Sequence, residues 1–544
     1  MKVRIMASRK SEHTHPEPVQ EETNPMTTIP RTHRNIVPGI AVLFALSIFA
    51  FIFAPSVPAN ACTTILVGHE ATADGSLIIA RNEDNVGASD AQNIVRHEPR
   101  KEALTFQAND NAFTWDLPPN ALGYVAFPKW QSEGQKLLSF EETGINDYGV
   151  AISATETIFN SEAILAVDPY VQGTGLTEDS ITSVVLPYAT SAREGIRLLG
   201  HVIETAGVSD EGFGVALSDR NEIWYLETAS GHHWVAQRLP ADSYFVSANQ
   251  GRFQDVDFND PMNVMTSAGF VDFLVEHKLY DPADEAFNFF ACCISDGEHD
   301  HTYNYPRVRE LLKLFSGIEY DRMDGLYPVF VQPDRKLTVQ DVAAGLRNRY
   351  QGTPHDPYMH QNPKEPYRPI SVMRASLSHI TQTRPDLPGD IAVINHIALG
   401  MPDLAVYMPF YKGLTVLPAA YQGATGQIDD HSMFWRSRKM QALVLQDYPR
   451  LAPAAHEAIA RFEADLAAKQ AAMEDQYLAL WRQDMDAARK LIQNLTDEAV
   501  ASLERMLDDL TIRFAKELGM ENLTDEQFFE LIMGIEKKYH FHGA

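Results

Sequence analysis

Apolar and β-branched residues cluster in short runs over much of the chain, separated by polar turn residues. After Cys62 the run TTILVG is followed by HEATADGS, whose Asp74-Gly75 predicts a turn, and then by LIIARNED. Two strands joined by a turn are expected. In EETGINDYGVAISATET, Gly144 and Gly149 are expected to bracket a tight turn ahead of a strand starting at Val150. The period then changes to helical: Ile196, Leu199, Val202 and Ile203 share one face, SARE (Ser191–Glu194) reads as a capping box, and Gly207 stands at the C-cap. From Gly212 to Asn249 the runs FGVALSD, EIWYLET, HHWVAQRL and DSYFVSANQ predict an antiparallel meander. Strand-like runs return in DIAVINHIAL and LAVYMPFY, whereas residues 254–370 give no clear period.

From about Pro453 the composition shifts to Ala, Glu, Gln, Lys and Leu. Ile459, Phe462, Leu466, Met473, Tyr477 and Leu480 hold to one helical face, and Thr524 with Gln527 opens a last helix carrying Phe528, Phe529 and Ile532. These helices are expected to pack on the main domain or on a second copy of the chain. Strands, then helices, then hairpins predict an α+β class. The expected division is 1–61, 62–450 and a helical C-terminal extension over 451–544.

The amino-terminal segment changes the picture. GIAVLFALSIFAFIFA (Gly39–Ala54) is unbroken apolar, follows Arg31, His33 and Arg34, and is succeeded by PSVPANA with small residues at Ala59 and Ala61. That order of parts is an export signal's, and the run is shorter than the roughly 20 residues of a spanning helix. Met26 is an alternative start that leaves a basic segment of ordinary length. Residues 1–61 are therefore expected to be removed, giving an exported protein, periplasmic or secreted, with no stable membrane anchor. A formal charge of −28 over 544 residues argues against nucleic acid and anionic membranes as partners.

The cut expected after Ala61 exposes Cys62, one of three cysteines. An amino-terminal cysteine holds a nucleophile and a base in one residue. Its α-amine titrates near about 7.7–8 and its thiol near about 8.5, so the amine accepts the thiol proton and returns it to a leaving amine. Cys292 and Cys293 in FFACCIS are expected as small buried residues. His299 and His301 in DGEHDHTYN alternate with acids, but their spacing is poor for a structural zinc site, and an exposed loop is expected.

CTTILVG and ATADGSLIIARNED resemble the start of the mature chain in the dipeptidase A family of cysteine N-terminal-nucleophile hydrolases, also called the peptidase D-type dipeptidases. Further matches are GINDYGVAISATET, NEIWYLETASGHHWVA, VSANQG, YNYPRV, the RASLSHI segment and PDLAVYMPFYKG, from Cys62 to roughly residue 490. The resemblance implies a four-layer αββα sandwich and hydrolysis of the amide bond of a small peptide substrate, without metal or cofactor. It matches Cys62 to the nucleophile, Arg81 and Asp84 to the class arginine and aspartate, Asn249 to the donor toward the tetrahedral oxyanion, and Arg374 to a second active-site arginine. A guanidinium beside a thiol favours thiolate, and a carboxylate beside an α-amine orients its lone pair.

Two further positions bear on the substrate. Asn146 belongs to GINDYGV, where the family more often shows glutamate at the position of Asp147; it is expected to support the turn at the site. Glu156 in ATET stands where relatives acting on acyl conjugates carry asparagine or tyrosine. A carboxylate there repels an oxyanion and attracts an ammonium, which favours a dipeptide with a free amino terminus. The rival readings are an amidase acting on acylated amino-acid conjugates and a lipid-anchored binding protein with Cys62 lipidated. Ala59, where lipoprotein processing usually wants a large aliphatic residue, argues against the latter.

Overall fold

The computed structural model describes residues 62–85, 87–130, 140–283, 287–539 and 541; residues 1–61, expected to be an export signal, lie outside them. In chain order the strands are β1 (Thr63–Val67), β2 (Leu77–Asp84), β3 (Val95–His97), β4 (Leu104–Gln107), β5 (Thr114–Leu117), β6 (Tyr124–Pro128), β7 (Glu141–Asn146) and β8 (Ala151–Ile158). They continue as β9 (Gly212–Ser218), β10 (Ile223–Thr228), β11 (Trp234–Arg238), β12 (Tyr244–Ser247), β13 (Val264–Thr266), β14 (Ala375–Thr383), β15 (Val393–Leu399) and β16 (Met408–Tyr411). One sheet runs β12-β1-β2-β14-β15-β16 and a second runs β13-β11-β10-β9-β8-β7-β6-β3, while β4 and β5 form a separate hairpin. The pairings within both sheets are antiparallel.

Side chains alternate across each strand, and the apolar clusters follow that alternation. Leu66, Ile79 and Phe245 of the first sheet share a buried cluster with Ala151, Ala216 and Tyr225 of the second, so these faces pack on one another. The other face of the second sheet, with Ile152, Leu217 and Leu226, is covered by helices α1 (Ile181–Val185) and α2 (Ala192–Ala206). On the first sheet, Ile65, Val67, Ile78 and Ala80 pack against α3 (Tyr305–Ser316) and α4 (Val339–Leu346). Helices α5 (Met433–Val444), α6 (Tyr448–Leu480), α7 (Met485–Leu518) and α8 (Asp525–Lys538) share a cluster with Leu377, Ile394, Ile397 and Leu399. The protein is thus α+β, with antiparallel sheets and C-terminal helices.

Local expectations fare unevenly. Gly75 takes φ +76° in the β1–β2 turn and Gly207 φ +74° after α2, conformations open to glycine at little cost. Ser191 caps α2 by accepting from Glu194 N, but the Glu194 carboxylate turns back to Thr190 rather than to Ser191. Thr524 and Gln527 form the full reciprocal box at α8. Gly144 is no turn residue: it lies inside β7, where a Cβ would stand 2.8 Å from Leu186 Cδ2 and from Val125 O. The expected meander also ends early, because β12 leaves the second sheet and pairs with β1. Residues 254–370 hold short helices and loops besides β13, α3 and α4, and the helix expected from Pro453 begins at Tyr448. Among the described residues no helix is long and apolar enough to cross a membrane.

Candidate active site

The end of the six-stranded sheet gathers the chemistry. Thr63 faces Asn82 in the antiparallel β1–β2 pair, so Cys62 runs level with Glu83. Alternation sends Cys62, Arg81 and Glu83 toward the second sheet and Asn82 and Asp84 toward the helices. Arg81 Nη1 donates to Cys62 Sγ at 3.2 Å. The same guanidinium donates to the Thr155 carbonyl of β8 and pairs with the Glu142 carboxylate of β7. Cys62 is 6% exposed and Arg81 1%. Burial opposes the arginine's charge, but Cys62, Glu142 and Glu83 outweigh it and hold its pKa above the ordinary value.

Two buried carboxyls thus surround one guanidinium. Burial pushes Glu83 up to about 7, against the pull of Arg81. Burial also drives Glu142 well above the ordinary carboxylate range, opposed by Arg81 and reinforced by Glu83. His379, opposite Arg81 in β14, lies with its Nε2 3.0 Å from Ser153 Oγ; burial and the neighbouring Arg81 keep its ring neutral.

On the helical side, Asp84 pairs with Arg368, and its other oxygen, Oδ1, is buried without a hydrogen-bond partner among the described residues. Burial disfavours the Arg368 charge, yet Asp84 and Tyr303 raise its pKa, with a further contribution from Cys62. Asn249 follows β12 and is 3% exposed. Its Oδ1 accepts from Arg307 Nη2 at 2.9 Å, while its Nδ2 is a buried donor without a partner among the described residues. Arg307 also donates from Nη1 to the Cys62 carbonyl at 2.6 Å and to Thr63 Oγ1 at 3.0 Å, and from Nε to the Tyr303 carbonyl at 2.8 Å. One fully buried arginine of α3 thereby ties the thiol-bearing residue to the amide donor.

Arg374 immediately precedes β14 and donates from Nη2 to Tyr303 Oη at 2.6 Å. The Tyr303 ring also lies 5.1 Å from the Arg307 guanidinium carbon and 5.3 Å from that of Arg368. Cys62, Arg81, Asp84, Asn249 and Arg374 therefore meet at one end of the sheet. Asn146 does not join them. Its Nδ2 donates to the Leu186 and Ala189 carbonyls at 2.9 and 2.7 Å, and its Oδ1 accepts from Tyr148 N and Val150 N, so its polar atoms are used in the β7–β8 turn. The cavity of about 30 Å³ that it helps line, with Phe127, Asn395, Phe410 and Lys412, shares no residue with the Cys62 cluster. Glu156 pairs through its backbone with Gly214 in β8–β9, and its side chain lies outside the described residues.

Arg307, Glu142, Arg368 and Tyr303 carry no individual signal in composition or spacing. Tyr303 and Arg307 both fall in YNYPRV, so that motif was the available clue. Cys293 is buried, Cys292 half-buried, and neither is in a disulfide. The His299 ring lies tilted against Tyr303 with centroids 4.4 Å apart, and His301 meets Tyr305 edge-on at 5.3 Å. Among the described residues no group of three His, Cys, Asp or Glu side chains is arranged to hold a metal ion.

The model of peptidase family C69 matches residues 61–461. The chain is 49% identical over 360 residues to a probable dipeptidase of Salmonella dublin, covering 65% of this chain and 81% of that protein. It is 35% identical over 394 residues to a probable dipeptidase of Latilactobacillus sakei, covering 72% and 82%. Dipeptidase A of Lactobacillus helveticus is 32% identical over 389 residues, covering 69% and 80%.

Proposed function

The chain belongs to peptidase family C69, and on that premise we propose that it is an exported cysteine dipeptidase whose nucleophile, Cys62, becomes the amino-terminal residue when residues 1–61 are removed. The observation that carries the reading is the pairing of Cys62 Sγ with Arg81 Nη1 at 3.2 Å. The dipeptidase names of the relatives support the substrate class. Two sheets packed face to face, with helices on their outer faces, support an αββα N-terminal-nucleophile sandwich.

The chemistry follows from the groups present. The freed α-amine of Cys62 takes the thiol proton, and Arg81 stabilises the thiolate. The buried Asp84 Oδ1, which lacks a partner, is the acceptor that orients the new ammonium beside it. Sulfur attacks the scissile carbonyl carbon, and Asn249 Nδ2 donates to the oxyanion that forms. The C–N bond breaks as the α-ammonium protonates the leaving amine, leaving a thioester. Water adds to the thioester carbonyl and gives its proton to the α-amine, after which the C–S bond breaks, releasing the acid and restoring the thiol.

The test is the mass of the amino-terminal peptide of active enzyme. Free Cys62 supports the proposal. A thioether-linked lipid on its sulfur blocks the nucleophile and turns the protein into an anchored one, and active, uncut chain removes the single-residue nucleophile and base.

A further inference from the structure

Most buried or nearly buried arginines here have an acid or several carbonyls. Arg81 has Glu142, Arg368 has Asp84, Arg347 has Glu463 and Arg384 has Glu474. Arg252 spreads its donors over the carbonyls of Val246, Gly325, Tyr327 and Pro328. Arg374 is the exception. It is 5% exposed, yet among the described residues its hydrogen bonding is confined to Tyr303 Oη and it makes no ion pair. A guanidinium carries five N–H donors and a charge that burial penalises unless an anion answers it. Among the described residues no such anion pairs with Arg374.

Its position says which anion fits. Strands β1, β2 and β14 end together, with Thr63 facing Asn82 and Ala375 facing Asp84. At about 4.8 Å per strand, the Arg374 backbone lies roughly 10 Å from that of Cys62, across β2. Tyr303 spans the gap. Its carbonyl is held by Arg307, which also grips Cys62 and Asn249, and its hydroxyl is held by Arg374. The cation is thus about one tyrosine side chain away from the groups that hold the nucleophile and the oxyanion donor. In a dipeptide the terminal carboxylate lies one residue, at most about 3.6 Å of chain, beyond the scissile bond.

The mount is rigid. Arg438 of α5 donates to the carbonyls of Met373 and Ala375, on both sides of Arg374. His299, its ring tilted against the same Tyr303, offers a further polar atom, its buried Nδ1 having no partner among the described residues. We propose that Arg374 binds the C-terminal carboxylate of the dipeptide and so sets the length of peptide that is cleaved. The inference rests on the dipeptidase reading. A longer peptide puts a neutral amide where the carboxylate belongs and leaves the arginine unanswered.

The experiment compares kcat/KM for one dipeptide and its C-terminal amide in the wild type and in Arg374→Gln. The same two compounds are titrated calorimetrically into Cys62→Ala and Cys62→Ala/Arg374→Gln, which gives the ratio even if the single variant turns over neither. Wild type is expected to prefer the free acid by roughly 10- to 150-fold, the range for hydrogen bonds to charged groups, and the substitution to bring acid and amide within about threefold. Equal handling of acid and amide by the wild type overturns the inference and leaves the dipeptidase reading standing, as does a preference that survives Arg374→Gln in both assays. Cleavage of neither compound by wild type removes the dipeptidase reading, and the inference with it.

Discussion

Arg307 Nη2 donates to Asn249 Oδ1 at 2.9 Å, and that bond decides which way the Asn249 amide faces. With the oxygen engaged, Nδ2 is left as a preorganised donor without a partner. Removing one oxyanion donor typically costs about 10² to 10³ in kcat. Asn249→Ala should lose that much. Arg307→Lys, which cannot reach Asn249, Asn304, Thr63 and the Cys62 carbonyl together, should lose roughly tenfold or more, and the double variant should be little worse than Asn249→Ala alone. Losses that simply add in kcat/KM would mean that Arg307 does not act through Asn249.

Cys62→Ala should abolish turnover with the fold intact by circular dichroism, and Cys62→Ser should keep a trace, because a hydroxyl is the poorer nucleophile at neutral pH. Changing Ala59 and Ala61 to bulky residues should leave folded, inactive precursor. Activity lost in Cys292→Ala but kept in Cys62→Ala would move the nucleophile to the other thiol. A chelator should leave the rate unchanged.

The hairpin that carries the site is readable in the sequence, because TTILV and LIIARNED both form strands and Asp74-Gly75 supplies a turn that only a few residues tolerate. The departure of β12 is not. Its loop from β11 is within the range of hairpin loops, and its partner β1 is remote in the chain, so alternation alone cannot reveal the change of sheet. Gly144 misleads for a related reason: glycine signals a turn locally, but here it admits Leu186 and Val125 against a strand. Arg307 is hidden by distance, since it meets Cys62 across 245 positions and only the packing of α3 on the sheet brings them together.

Stability should fall as the pH rises from acid to mildly basic, in part through Glu227. The carboxylate accepts from Arg252 N and Phe253 N at 2.8 and 3.2 Å, yet burial outweighs these bonds and pushes it from 4.5 up to about 7. The folded state then keeps a proton that the unfolded chain loses between these values. The contribution is complete below about 4.5 and is lost as pH climbs through about 7, worth about 3 kcal/mol at most. Glu83 and Glu211, each also raised by burial to about 7, act in the same sense. Urea unfolding at pH 5 and pH 8 should therefore show a smaller drop in Glu227→Gln than in wild type. An identical drop would show that Glu227 titrates no differently on folding.

The other end of the substrate is expected to need a free amine. Glu156 follows Thr155, whose carbonyl holds Arg81 and whose hydroxyl donates to Glu178 at 2.7 Å. Glu178 also raises the pKa of Glu142 and Glu211, so its own negative potential reaches this side of the nucleophile. An ammonium entering here would be attracted, and its pairing would help set the scissile carbonyl against Cys62. Acetylation removes that charge and adds bulk. Free dipeptides should therefore be cleaved much faster than their N-acetyl forms, with Glu156→Gln narrowing the gap. The measurement is kcat/KM for one dipeptide, its N-acetyl form and a bile-salt conjugate, in wild type and in Glu156→Gln. Equal rates on free and acetylated substrates would remove the role of Glu156, and a preference for the conjugate would make the protein an amidase of acylated amino acids.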